Sequence, residues 1–85
     1  MKFHFIDLEN LQKYFDDAGL DHVAPVAFEG SFCEVAGNCY NFVKKIPCTF
    51  NIRLLRDDTY ALTINNKERV NLKYDEDNRC KMERV

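Results

Sequence analysis

Apolar and polar residues alternate along much of this chain, most regularly from Thr49 to Tyr74. Phe50, Ile52 and Leu54 alternate with Asn51, Arg53 and Leu55; Tyr60, Leu62 and Ile64 with Thr59, Ala61 and Thr63; Val70, Leu72 and Tyr74 with Arg69, Asn71 and Lys73. A period of two sends successive side chains to opposite faces of a strand. The stretch therefore predicts a three-strand antiparallel meander with one apolar face. Asp57-Asp58 and Asn65-Asn66 fall where it must turn, and Asn and Asp tolerate the positive φ of tight hairpins.

The periodicity changes near the start. Leu8, Leu11, Phe15 and Ala18 follow at helical spacing and predict a helix over Leu8–Ala18. Asp7 is placed to cap its first turn, and Gly19 to close it in the left-handed conformation, followed by Leu20. Before the helix, Lys2–Ile6 reads as a short strand or an entry segment. After it, Val26-Ala27-Phe28 begins a strand that Gly30 bends or bulges. Ser31–Lys45 has two readings. In one, Ser31–Val35 and Cys39–Lys45 are strands joined through Ala36-Gly37-Asn38. In the other, Asn38 caps a short helix over 38–46, with Cys39, Phe42 and Ile46 on one face. β-branched and aromatic residues favour the hairpin. Arg79–Arg84 is a last strand, with Cys80 and Met82 on one face. The fold expected is α+β: an N-terminal helix packed on a curled, mainly antiparallel meander sheet of five or six strands, in two layers.

Length then limits what this fold can do. With 85 residues, the chain is one domain, 1–85, and leaves little volume for both a core and a substrate pocket. A net charge of −2 singles out no strongly charged partner, but the charge is uneven. Met1–Val43 carries 2 basic and 7 acidic residues, and the remainder 10 basic and 7 acidic. Charges within the first ten residues and the lack of a long apolar run argue against a secretory leader or membrane span, so the chain reads as cytoplasmic with no membrane partner.

Candidate chemistry is sparse. Cys33, Cys39, Cys48 and Cys80 lack the close pairing of a structural zinc site, and His4 and His22 are the only imidazoles. Cys33 and Cys39 could meet across the expected hairpin, but a reducing cytoplasm disfavours a disulfide. Cys48 and Cys80 read as small packing residues, and Cys33 and Cys39 as free thiols. If a helix began at Asn38, its dipole would activate Cys39 as a nucleophile, with His22 or His4 as base. No spacing requires this, and no acid pair or glycine-rich phosphate loop is present. The expectation is no catalytic residue, no metal and no cofactor. A small thiol- or zinc-containing domain is the remotest alternative.

Binding surfaces are left. Glu9, Asp16, Asp17, Asp21 and Glu29 form an acidic set suited to a basic, nucleic-acid-handling protein. An edge strand, Arg79–Arg84 or the 26–35 segment, could extend another sheet or pair with a second copy in a homodimer. Arg53, Arg69, Lys73, Arg79 and Lys81 mark the outer sheet face for RNA or single-stranded DNA as the alternative, though the strand aromatics that would stack on bases fall on the inner face. The reading is a small non-enzymatic protein-binding domain, for which a stoichiometric inhibitor is one role. Anti-CRISPR proteins and other anti-defence proteins of phages and mobile elements share this profile of small size and missing motifs.

Overall fold

The computed structural model describes residues 5–85. One short helix, α1 (Gln12–Asp17), precedes six strands: β1 (Val23–Gly30), β2 (Glu34–Asn41), β3 (Ile46–Leu54), β4 (Tyr60–Ile64), β5 (Glu68–Tyr74) and β6 (Cys80–Arg84). All strands join one antiparallel sheet in sequence order, so β1 and β6 are its edges and the sheet is not closed. Val23 of β1 and Arg84 of β6 nevertheless line the same cavity of about 300 Å³. The sheet has therefore curled far enough to bring its two edges toward each other.

The meander is where the alternation places it. Phe50, Ile52, Leu62, Ile64, Val70 and Leu72 are buried on one face, and Ile52 pairs with Leu62, which pairs with Val70. Asn65 and Asn66 both have positive φ, 52° and 58°, and the Lys67 N–H donates to the Ile64 carbonyl at 3.0 Å. That is the primed two-residue turn whose twist matches the strands it joins. Asp58 and Asn78 take the single left-handed position in the two longer turns, at φ 67° and 60°.

The helix is shorter than the apolar spacing predicts. Residues 8–11 form turns, and Lys13 and Tyr14 bond back to Asn10 and Leu11, three residues away rather than four. Asp7 does not cap α1: its Oδ1 accepts the Glu9 N–H at 3.1 Å, and its own N–H goes to the Tyr14 hydroxyl at 2.8 Å. The Glu9 bond is the one a capping residue makes to its first turn, but the turn it opens does not run on into α1. The closing end matches the expectation. Gly19 has φ 75°; its N–H reaches the Asp16 carbonyl, and the Leu20 N–H reaches that of Phe15. This pair of bonds is the Schellman closure, with Phe15 and Leu20 both buried beside it.

Of the two readings of the first segment, the described residues fit an entry segment: Phe5 and Ile6 belong to no strand and Ile6 is buried in the core, while Lys2, Phe3 and His4 lie outside the described residues. Both readings of 31–45 are corrected. Residues 36–38 make no turn, and no helix forms over 38–46: β2 runs straight through to Asn41, and the reversals come at 31–33 and 42–45. Gly37 sits inside β2 because a Cβ there would lie 2.1 Å from the Ala27 carbonyl oxygen and 2.6 Å from the Phe28 Cα. The register shifts at this point, with Pro25 opposite Cys39 and Ala27 opposite Asn38, so Val26 is the extra residue of a bulge. The glycine answers a close approach of two strands, one of the two meanings of a glycine within a strand. The 42–45 turn is held by Asn41, whose Oδ1 accepts the N–H groups of Val43 and Lys44.

α1 and the sheet contribute to one buried cluster. The Phe15 and Phe50 rings meet edge to face at 5.2 Å, and Tyr14 stacks on Tyr60 at 5.2 Å. Gln12 Nε2 donates to the Val23 carbonyl at 2.9 Å, tying the helix to the start of β1.

Candidate functional site

Edge strand β1 is the most exposed apolar element. Only Val23 is buried; from Val26 to Gly30 every residue is exposed. Val26 is 68% and Phe28 44% exposed, large values for apolar side chains within a strand. Its backbone is equally open. On β2 the even-numbered residues bond toward β1, since Phe42 donates to His22 and Ser31 to the Glu34 carbonyl. Ala27 and Glu29 face Asn38 and Ala36 in register, so the groups of Phe28 and Gly30 point away from the sheet. Pro25 lies on the outward phase, where its missing N–H costs no ladder bond. Near the far end of β1, exposed Phe5 and Phe32 contact each other edge to face at 5.4 Å, and the Ile6 N–H donates to the Phe32 carbonyl.

Around this edge the acidic set divides. Asp16 and Asp21 lie near the start of β1: Asp16 shares the Gln12 amide with the Val23 carbonyl, and Asp21 precedes the strand by two residues. Glu29 lies at the other end of the strand. Asp17 is turned inward and accepts the Tyr74 hydroxyl at 2.5 Å. Glu9 lines a separate cavity with Lys13 and the tyrosines. Three of the five carboxylates therefore flank β1, and two serve elsewhere.

That separate cavity, about 560 Å³, is walled by Tyr14, Tyr60, Tyr74, Phe5, Phe32 and Lys13, among others. Its phenols are engaged. Tyr60 donates to the Phe5 carbonyl at 3.0 Å and Tyr14 lies 3.5 Å from the same oxygen. Burial raises the pKa of Tyr14, pushes Tyr60 up to about 12 and raises Tyr74, whose bond to Asp17 adds to the effect. Neutral, hydrogen-bonded phenols at this position pack and orient rather than exchange protons. The sequence reading passed over Tyr14, although Leu11, Tyr14, Phe15 and Ala18 complete the i, i+3, i+4, i+7 stripe.

The basic set does not converge. Arg53 pairs with Glu34 at 2.7 Å, and Arg69 Nε donates to Asn71 at 3.2 Å. Lys73 and Lys81 are direct cross-strand neighbours on β5 and β6, and Arg79 precedes β6 in the acidic turn. Arg53 and Arg69 line one shallow depression, Lys73 and Lys81 another. Another basic group, which the sequence order hides, is Lys44, Lys67 and Arg84 with His22, which line the cavity between the two sheet edges together with Glu68.

The thiols are rearranged relative to expectation. All four are free, with Cys33 exposed and Cys39 and Cys48 buried. Because β2 is continuous, Cys33 and Cys39 lie along one extended chain about 20 Å apart and cannot bridge. Cys39 instead faces Cys48 across β2 and β3, with the sulfurs 2.6 Å apart. Burial, reinforced by the neighbouring thiol, pushes Cys39 up to about 12, the opposite of an activated nucleophile. Among the described residues no three His, Cys, Asp or Glu side chains converge as a metal site, and no helix is long and apolar enough to cross a membrane.

No family model, curated protein or solved structure matches this chain.

Proposed function

We propose that this protein works by docking onto another protein through the β1 edge, as a non-enzymatic, stoichiometric binder. In this reading α1 lies across the inner sheet face as a second layer, and β1 adds to a strand of the partner. The observation that carries it is the exposure of Val26 and Phe28 on an edge strand whose outward backbone groups are unpaired by the sheet. Natural edge strands are usually shielded by charge, twist or a covering element. Here the bulge and Pro25 protect the first half only, and the second half keeps the backbone and pockets-and-pegs surface that strand addition uses.

Charge indicates the kind of partner. Asp16, Asp21 and Glu29 at the two ends of β1 favour a basic surface and disfavour a second copy of the same edge. A basic groove built for phosphate fits this description, and a domain seated in it would compete with nucleic acid, as a phage or mobile-element inhibitor of a host nuclease would. Co-purification tests the reading. The wild-type chain should retain a stoichiometric partner, the Val26→Lys/Phe28→Lys variant should lose it, and Asp16→Lys/Asp21→Lys should weaken it at least tenfold. Retention of the same partner by the β1 variant would refute the proposal.

Nucleic-acid binding is the second reading, supported by the cluster of Lys44, Lys67, Arg84 and His22 rather than by the outer sheet face. It predicts binding to single-stranded RNA that falls steeply with salt. A flat isotherm at low salt would remove it.

A further inference from the structure

We propose that Cys39 and Cys48 are the two halves of an intrachain disulfide that staples β2 to β3. The two residues are direct register partners on adjacent antiparallel strands. Both side chains are buried in the same core cluster as Phe50, and their sulfurs are already in contact. The ladder phase adds to this. Leu54 donates to the Cys33 carbonyl and Lys45 to that of Asn41, so the odd-numbered residues of β2 bond toward β3. Cys39 and Cys48 therefore occupy a hydrogen-bonded pair, whose Cα separation of about 5.5 Å falls within the range a disulfide spans. Bond formation asks for no change of register and no movement of either strand past the other.

The competing pairings are poor. Cys33 precedes β2 and is exposed, and Cys80 lies on β6 at the opposite edge of the sheet. The pair sits next to the strand that the proposed function uses, since Pro25 of β1 is the register partner of Cys39 on its other side. The staple would fix the two strands on which β1 hangs, closing a short loop around the 42–45 turn.

The chemistry needs a two-electron oxidant, which a low-molecular-weight disulfide such as oxidised glutathione supplies where the surrounding thiol pool is oxidising; in a reducing pool the pair remains two thiols. The thiolate of one cysteine attacks it, forming a mixed disulfide and releasing one glutathione thiolate. The thiolate of the second cysteine then attacks the protein-side sulfur of that mixed disulfide, forming the Cys39–Cys48 bond and releasing the second. Two protein thiols lose two protons and two electrons, and one oxidised glutathione becomes two thiols. In the folded reduced chain both cysteines are buried, out of reach of a glutathione disulfide. Closure accordingly belongs to folding, before the pair is covered, and the folded reduced protein resists later oxidation.

The test uses the full chain with Cys33→Ser and Cys80→Ser, which leaves this pair alone. Refolded in a glutathione buffer poised for oxidation, it should show no reactive thiol after denaturation. Its mass should be lower by two hydrogens, and it should run as a monomer without reductant. The same variant, folded reduced and then exposed to oxidised glutathione, should keep both thiols for far longer. Two thiols reactive in denaturant after oxidative refolding would overturn the proposal. So would glutathione retained on each cysteine, or covalent dimers. If the variant does not fold, non-reducing peptide mapping of the wild-type chain decides. A peptide pair joining Cys39 to Cys48 supports the staple, and any other linkage, or none, overturns it.

Discussion

The tyrosines and Gly37 show how single residues govern this molecule. Tyr60 is held neutral to about pH 12 by burial, against 10.0 for the free group, and Tyr14 and Tyr74 are shifted the same way. A raised pKa means that the folded state keeps protons the unfolded state gives up. Its contribution is complete below pH 10 and is lost as pH rises through the folded value. In the reduced chain, urea denaturation should therefore give a midpoint that holds to about pH 8. It starts to fall at about pH 9 as Cys39 and the partly buried Cys80, raised in the same way, come into range, and falls further from pH 10 toward 12 as the tyrosines do. Tyr60→Phe should flatten that later fall. At Gly37 the opposing carbonyl leaves no room for a Cβ. Gly37→Ala should cost about 1–3 kcal/mol, read from the shift in urea midpoint, because the backbone of β1 must move aside.

At the scale of elements, the turns carry as much information as the strands. Asn65 supplies a positive φ, and its Oδ1 accepts the Thr49 N–H at 2.9 Å, capping the end of the meander against β3. Asn66 supplies conformation at the neighbouring position. Asn65→Ala should lose about 1–3 kcal/mol in thermal or urea unfolding, while Asn66→Gly should be neutral or slightly stabilising. The meander was legible because its alternation, its turn residues and its burial all agree. α1 was legible as a stripe but not in length, because the backbone before it closes in tight turns, with Asn10, Lys13 and Tyr14 each bonding three residues back rather than four. β2 was misread because Gly37-Asn38 satisfies turn chemistry locally. Only the approach of β1 across the bulge shows that the glycine relieves a clash between strands. That approach pairs Gly37 with Phe28, nine residues away in sequence, and leaves no periodic trace.

The whole molecule is an open, curled sheet with an exposed first edge, about 41 Å in its longest dimension. The acidic half was visible in the sequence. The division of that half was not, since Asp17 and Asp16 differ only in which neighbour each side chain meets. The proposed docking site comprises Val26, Phe28, Asp16, Asp21 and Glu29, a set assembled by the sheet rather than by spacing. The most direct test is site-specific photo-crosslinking in cells that hold the partner, with a photoreactive residue placed at Val26 and, separately, at Asn51 on the outer face. Docking through the β1 edge predicts a discrete one-to-one adduct from position 26 and none from position 51. An adduct from position 51 alone, or none from position 26 under conditions where the partner co-purifies, would contradict it.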